Sequence, residues 1–198
     1  MTPDHRVAGA LQALGEASDA FADGSYHKAV KKARLAKDLA PRDTTVREIL
    51  GLAAYRVGDW QTALAELRTF RRLAGETTHV PVEMDVLRAM GRAKDVQAAW
   101  EILDERGARP AVRKEGMVVY ASHLADTGDL DTAWRIVDPG DVSRKKPFEE
   151  DLRVWYVAAR IAALRGDGEQ AQKLRNAILL EDPAFPGIDE LERIISAG

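Results

Sequence analysis

Arg153, Tyr156 and Arg160 fall at i, i+3 and i+7, so a helix carries them on one face as two guanidinium forks with a phenol between them. Guanidinium groups bind carboxylate or phosphate through paired N–H donors, which suits that face to an acidic segment, a phosphorylated one included. The same kind of arginine can instead pair with Glu115, Asp126 and Asp85 in ordinary ion pairs between neighbouring helices. Other residue sets that imitate catalytic machinery fail on spacing. Ser122 and His123 are adjacent, and neighbouring helical side chains diverge too far to make a nucleophile and its base. Glu149, Glu150 and Asp151 open a helix, where acids favour the positive end of the macrodipole. His5, His27, His79 and His123 lack metal-ligand spacing, and the absence of cysteine removes thiol catalysis, disulfides and sulfur-ligated zinc. The sequence therefore predicts no catalytic residue, no metal and no cofactor.

One further imitation leads to the architecture. Gly166-Asp167-Gly168-Glu169-Gln170-Ala171 looks like a dinucleotide fingerprint, but it follows a helix rather than a strand and it recurs. Its relatives are Gly24-Ser25-Tyr26-His27-Lys28-Ala29, Gly58-Asp59-Trp60-Gln61-Thr62-Ala63, Lys94-Asp95-Val96-Gln97-Ala98-Ala99 and Gly128-Asp129-Leu130-Asp131-Thr132-Ala133. The alanines lie 34, 36, 34 and 38 residues apart. Each signature separates two helix-length stretches, so the unit is helix, tight turn, helix, with Ala where two helices cross closely. Lys94 stands where the other four have Gly, and the third turn is expected to differ for that reason.

These units predict an all-α chain with a single domain spanning 1–198. The approximate repeats are 1–41, 42–76, 77–109, 110–146 and 147–183, with an amphipathic capping helix over 187–197 that uses Ile188, Leu191, Ile194 and Ile195. The first helix is expected from Pro3, with Thr2 as its cap; Asp43 or Thr44 caps the third, and Gly58 turns the chain after Val57. Asp138-Pro139-Gly140 shortens the second helix of the fourth repeat, and the stretch on to Pro147, with Arg144-Lys145-Lys146, is expected to be a polar, mobile loop. Trp60, Trp100, Trp134 and Trp155 read as packing residues whose indole N–H finds a carbonyl.

Composition narrows the function classes. With 45% hydrophobic and 31% charged residues the chain can bury a core and is not of the disordered type. No apolar run approaches the length of a membrane span, Met1-Thr2-Pro3-Asp4-His5-Arg6 does not read as a signal peptide, and a cytoplasmic protein is expected. A net charge of -3 disfavours a dedicated nucleic-acid or membrane binder. The basic runs Lys28, Lys31, Lys32, Arg34, Lys37 and Arg68, Arg71, Arg72 sit on second helices and read as solvated outer faces without aromatics for base stacking.

The repeats resemble the tetratricopeptide repeat family. The second matches best, with Leu50-Gly51, Tyr55, Gly58, Trp60 and Ala63; the fifth supplies Trp155, Ala159, Gly166, Ala171 and Pro183, and the first supplies Gly24, Tyr26, Ala29, Ala36 and Pro41. The resemblance implies a right-handed α-solenoid whose first helices line a concave groove for an extended peptide or a partner's helix. One subgroup of that family grips a C-terminal carboxylate with Lys, Asn and Arg; the matching positions here, Leu14, Ser18, Ile49, Pro81 and Asp85, do not supply that clamp. Projected onto the groove, the candidate binding residues are Tyr55, Arg56, Arg88, Arg92, Arg153, Tyr156 and Arg160. The function so implied is a non-enzymatic scaffold for a protein or peptide, an acidic one by the arginines, or an assembly with itself as a homo-oligomer. A nucleic-acid-associated helical repeat is the alternative.

Overall fold

The computed structural model describes residues 4–137, 139–140, 142–143 and 146–197, with the side chains of Asp4 and His5 excepted. The expected cap at Thr2 and Pro3, Asp138 of the expected break, and Arg144 and Lys145 of the basic loop lie outside these residues. Among the described residues there is no strand. The helices are α1 (Asp4–Ala22), α2 (Tyr26–Leu39), α3 (Thr44–Arg56), α4 (Trp60–Ala74), α5 (Val80–Ala89), α6 (Ala93–Arg106), α7 (Pro110–Asp126), α8 (Leu130–Ile136), α9 (Glu149–Leu164), α10 (Gly168–Glu181) and α11 (Ile188–Ala197). The architecture is an all-α solenoid of helix-turn-helix repeats. Contacts gather into two compact units, Met1–Arg106 and Gly107–Gly198.

Five helix-to-helix corners among the described residues share one construction. Gly24, Gly58, Gly91, Gly128 and Gly166 hold φ between 69° and 88°, the left-handed region where a side chain is strained. Each glycine N–H reaches the carbonyl three residues back, and the next N–H reaches the carbonyl five back, which satisfies the helix's last carbonyls. Asp59, Asp129 and Asp167 then cap the following helix by accepting the N–H of Thr62, Thr132 and Gln170. Five residues after each glycine comes a fully buried side chain: Ala29, Ala63, Val96, Ala133 and Ala171.

The third corner corrects the expected register. The turn forms at Gly91, three residues before Lys94, because Gly takes the left-handed conformation freely while a side chain there costs about 1–2 kcal/mol. Lys94 is an exposed residue of α6, and Val96 rather than Ala99 occupies the alanine position. Arg92 stands where other corners have the capping Asp; its Nε donates to Asp95 Oδ2 at 2.8 Å.

In the first unit each hairpin stacks on the next: α2 packs on α1 and α3, and α4 packs on α3 and α5. Alanines allow this closeness, with Ala13 and Ala36 meeting Val46 in one small cluster. Gly51 carries the approach furthest, since a Cβ there would stand 2.7 Å from Leu67 Cδ2. In the second unit α9 is the hub, touching α7, α8, α10 and α11. Its Trp155 is 2% exposed in an apolar cluster with Ile161, Leu174, Ile178 and Leu191, and its indole N–H donates to the Pro139 carbonyl at 2.8 Å. The end helix α11 buries Ile188 and Leu191 and leaves Asp189, Glu190 and Arg193 exposed.

Candidate functional site

The predicted residues fall into two sets, one in each unit. In the first, Tyr55 occupies the last turn of α3 and donates its hydroxyl to Asp85 Oδ2 of α5 at 2.7 Å. Burial, joined by the Asp85 carboxylate that accepts this bond, pushes the phenol up to about 12. Asp85 is shared, because Arg88 one turn on brings Nη1 within 3.5 Å of its other oxygen. Arg56 stacks over the Tyr26 ring at 4.4 Å, and Tyr26 meets Phe21 edge to face at 5.4 Å. Next along α3, Glu48 Oε1 lies 2.7 Å from His79 Nε2, just before α5. Arg92 does not join this set: α5 ends at Ala89, so the shifted corner removes Arg92 from the first-helix face that the sequence register assigned to it.

In the second unit the charges of α7 and α9 meet as three cross-helix pairs. Lys114 Nζ reaches Asp151 Oδ1 at 2.5 Å, Arg153 Nη1 reaches Glu115 Oε2 at 3.1 Å, and Arg160 Nη2 reaches Asp126 Oδ1 at 2.8 Å. Arg153 also bonds Glu149 one turn back at 2.7 Å, and it remains nearly half exposed. Burial by itself would lower the Arg153 pKa; Glu115 and Glu149 together outweigh it and hold the value above the ordinary one. Tyr156 sits between the two arginines on α9. Its ring lies 5.8 Å from Phe185, its hydroxyl donates to the Gly187 carbonyl at 3.4 Å, and burial, then Glu190, raises its pKa.

Two carboxylates missed in the sequence organise the first unit. Glu66 of α4, 4% exposed, takes Lys37 Nζ on one oxygen at 2.6 Å and Arg47 Nη1 on the other at 2.5 Å. Glu83 of α5, 1% exposed, is clasped by Arg71 through two bonds of 2.9 and 3.2 Å, with Arg68 Nε at 3.8 Å. Lys37 and Arg71, read from the sequence as part of a solvated face, instead close over buried acids. The signal was available: Glu66 follows Ala63 and precedes Phe70 at i, i+3 and i+7, and Glu83 follows Val80 by three, so each acid sits in an apolar stripe. Among the described residues no cluster of His, Asp and Glu is arranged to hold a metal ion, and no helix is long and apolar enough to cross a membrane.

No protein-family model matches the sequence, and no curated protein does. Solved structures do match the fold. YrrB, described as a tetratricopeptide repeat protein with an unusual peptide-binding site, aligns over 93% of this chain and 92% of its own with a TM-score of 0.59 at 15% identity. A tetratricopeptide repeat protein from Parabacteroides merdae aligns over 95% of this chain and 74% of its own with a TM-score of 0.70 at 14% identity. Both share the repeat solenoid with this chain.

Proposed function

We propose that the chain is a non-enzymatic scaffold that binds an acidic peptide or protein segment on the first-helix face, with α9 as the principal element. The observation that carries this reading is a pair of solvent-accessible α7–α9 ion pairs: Arg153 is paired with Glu115 and Arg160 with Asp126 on one face, with Tyr156 between the two arginines. An exposed ion pair contributes only about 0–1 kcal/mol, so an incoming carboxylate can replace Glu115 or Asp126 at little cost. The arginines are then already ordered for paired N–H donation. In the first unit Arg88 and Arg56 offer the same chemistry beside Tyr55. The peptide-binding site described for YrrB supports a peptide as the ligand class on this fold.

Fluorescence anisotropy of a labelled Asp/Glu-rich peptide tests the reading. The wild type binds with an affinity that falls as salt is raised; Arg153→Glu with Arg160→Glu abolishes the binding, and Glu115→Gln with Asp126→Asn strengthens it. Binding unchanged by the double charge reversal, or salt-dependent retention of an oligonucleotide with none of the peptide, overturns it in favour of another surface or of nucleic acid.

A further inference from the structure

We propose that the α1–α2 hairpin is a self-association surface that receives the α1–α2 hairpin of a second copy, related by a two-fold axis running along the helices. A helix in a repeat protein turns polar side chains to solvent, and large apolar ones left outside it mark a surface for a partner. Helix α11 shows the ordinary outcome, burying Leu191 and turning Asp189, Glu190 and Arg193 to solvent. The α1–α2 hairpin differs in what it leaves exposed. Helix α1 buries the small Ala13, Ala17 and Ala20 and leaves Leu11 64% exposed; on α2, Leu35 is 48% exposed. Leu11, Gly15 and Asp19 fall at i, i+4 and i+8 as one exposed stripe of α1, and Lys28, Lys31 and Leu35 fall at i, i+3 and i+7 as one exposed stripe of α2.

Charge and level select a second copy as the occupant. Within the hairpin Gly9 lies against Leu39 and Glu16 pairs with Lys32, so residues whose numbers sum to about 48 stand at one height. A two-fold axis along the helices keeps every residue at its height and sets each α1 on the other copy's α2, antiparallel. Leu11 then faces Leu35 of the second copy, and Asp19 faces Lys28 of the second copy. Apolar meets apolar and acid meets base, and the contact repeats with the roles reversed. The small Gly15 between Leu11 and Asp19 lets the backbones close. Because the same patch serves both partners, the assembly closes as a dimer and cannot extend into a fibre.

Light scattering of the purified full chain across a concentration series reads the outcome, with circular dichroism confirming that each variant stays helical. The wild type is expected to reach the mass of two chains at high micromolar concentration, and Leu11→Glu or Leu35→Glu to remain at one. Asp19→Lys and Lys28→Glu, each placing like charges together, are expected to weaken the dimer roughly tenfold or more, and the combined swap to restore it. A wild type at the mass of one chain throughout, or a dimer unmoved by Leu11→Glu or not restored by the combined swap, overturns the proposal. None of these residues belongs to the peptide face on α9, so the two readings fail separately.

Discussion

The two units tie their hairpins together in opposite ways. Met1–Arg106 crosses between repeats with carboxylates sunk in the core, Glu66 and Glu83, each clasped by two cations. Gly107–Gly198 crosses with exposed or half-buried pairs on the α7–α9 face, and fills its core with Trp155, Ile161 and Leu174 instead. The pairs are chemically alike, and their surroundings give them different weight. A charge out of water must keep its partner or bear the full cost of desolvation, whereas a charge in water loses its partner to solvent almost without penalty. The ties through Glu66 and Glu83 are therefore structural, whereas Arg153–Glu115 and Arg160–Asp126 are exchangeable, which is why the proposed binding face lies on α9.

Removing the deepest tie gives the largest expected effect. Glu83→Ala strands Arg71 and leaves Arg68, whose Nε already has no acceptor, without its counter-ion; breaking a buried pair from one side costs about 3–5 kcal/mol. Urea denaturation followed by circular dichroism measures it, and a loss under 1 kcal/mol would erase the distinction between the units. Gly51→Ala is next, at about 1–3 kcal/mol by overpacking, because its Cβ meets Leu67 Cδ2 at 2.7 Å and the Leu67 backbone nitrogen at 3.3 Å. A neutral outcome in the same assay would show that α3 and α4 have room to part.

Tyr55→Phe removes the half-buried bond to Asp85 and is expected to cost about 0.5–1.5 kcal/mol. Its pH dependence sharpens the test. The folded phenol titrates at about 12, above the value near 10 of an unfolded tyrosine, so the folded state holds its proton more tightly. That stability is complete below the unfolded value and is lost as pH rises toward 12. The difference between wild type and the Phe variant should narrow over this window, and ultraviolet absorbance should show one late-titrating tyrosinate that the variant lacks. The smallest effect belongs to Arg160→Ala, at about 0–1 kcal/mol and shrinking with added salt. A cost equal to that of Glu83→Ala would mean that the second unit also depends on its ion pairs for folding.

Much of the fold was legible because its signals are local. Gly24, Gly58, Gly128 and Gly166 mark corners by an intrinsic backbone preference, and Asp59, Asp129 and Asp167 cap by reaching three residues along the chain. Ile188 and Leu191 marked the buried face of α11 by helical period alone. The third corner misled for the same local reason: Lys94-Asp95-Val96-Gln97-Ala98-Ala99 imitates the signature in letters, while Gly91 three residues earlier has the conformation that a corner requires. The candidate site was less legible. Arg153 and Arg160 share a face by spacing, but their acceptors Glu115 and Asp126 lie 38 and 34 residues away, and spacing within one helix says nothing of which acid the next helix presents.

The sequence by itself determined the repeat period, the corners and the alanine crossings, since each depends on φ preferences, hydrogen bonds and side-chain volume within a few residues. Only the tertiary structure decided which charges matter. Lys37 and Arg153 carry the same sign on amphipathic helices, yet one closes over a carboxylate that is 4% exposed and the other lies nearly half open to water. The strength of an ion pair follows from the dielectric around it, and that is set by what the neighbouring repeat lays on top.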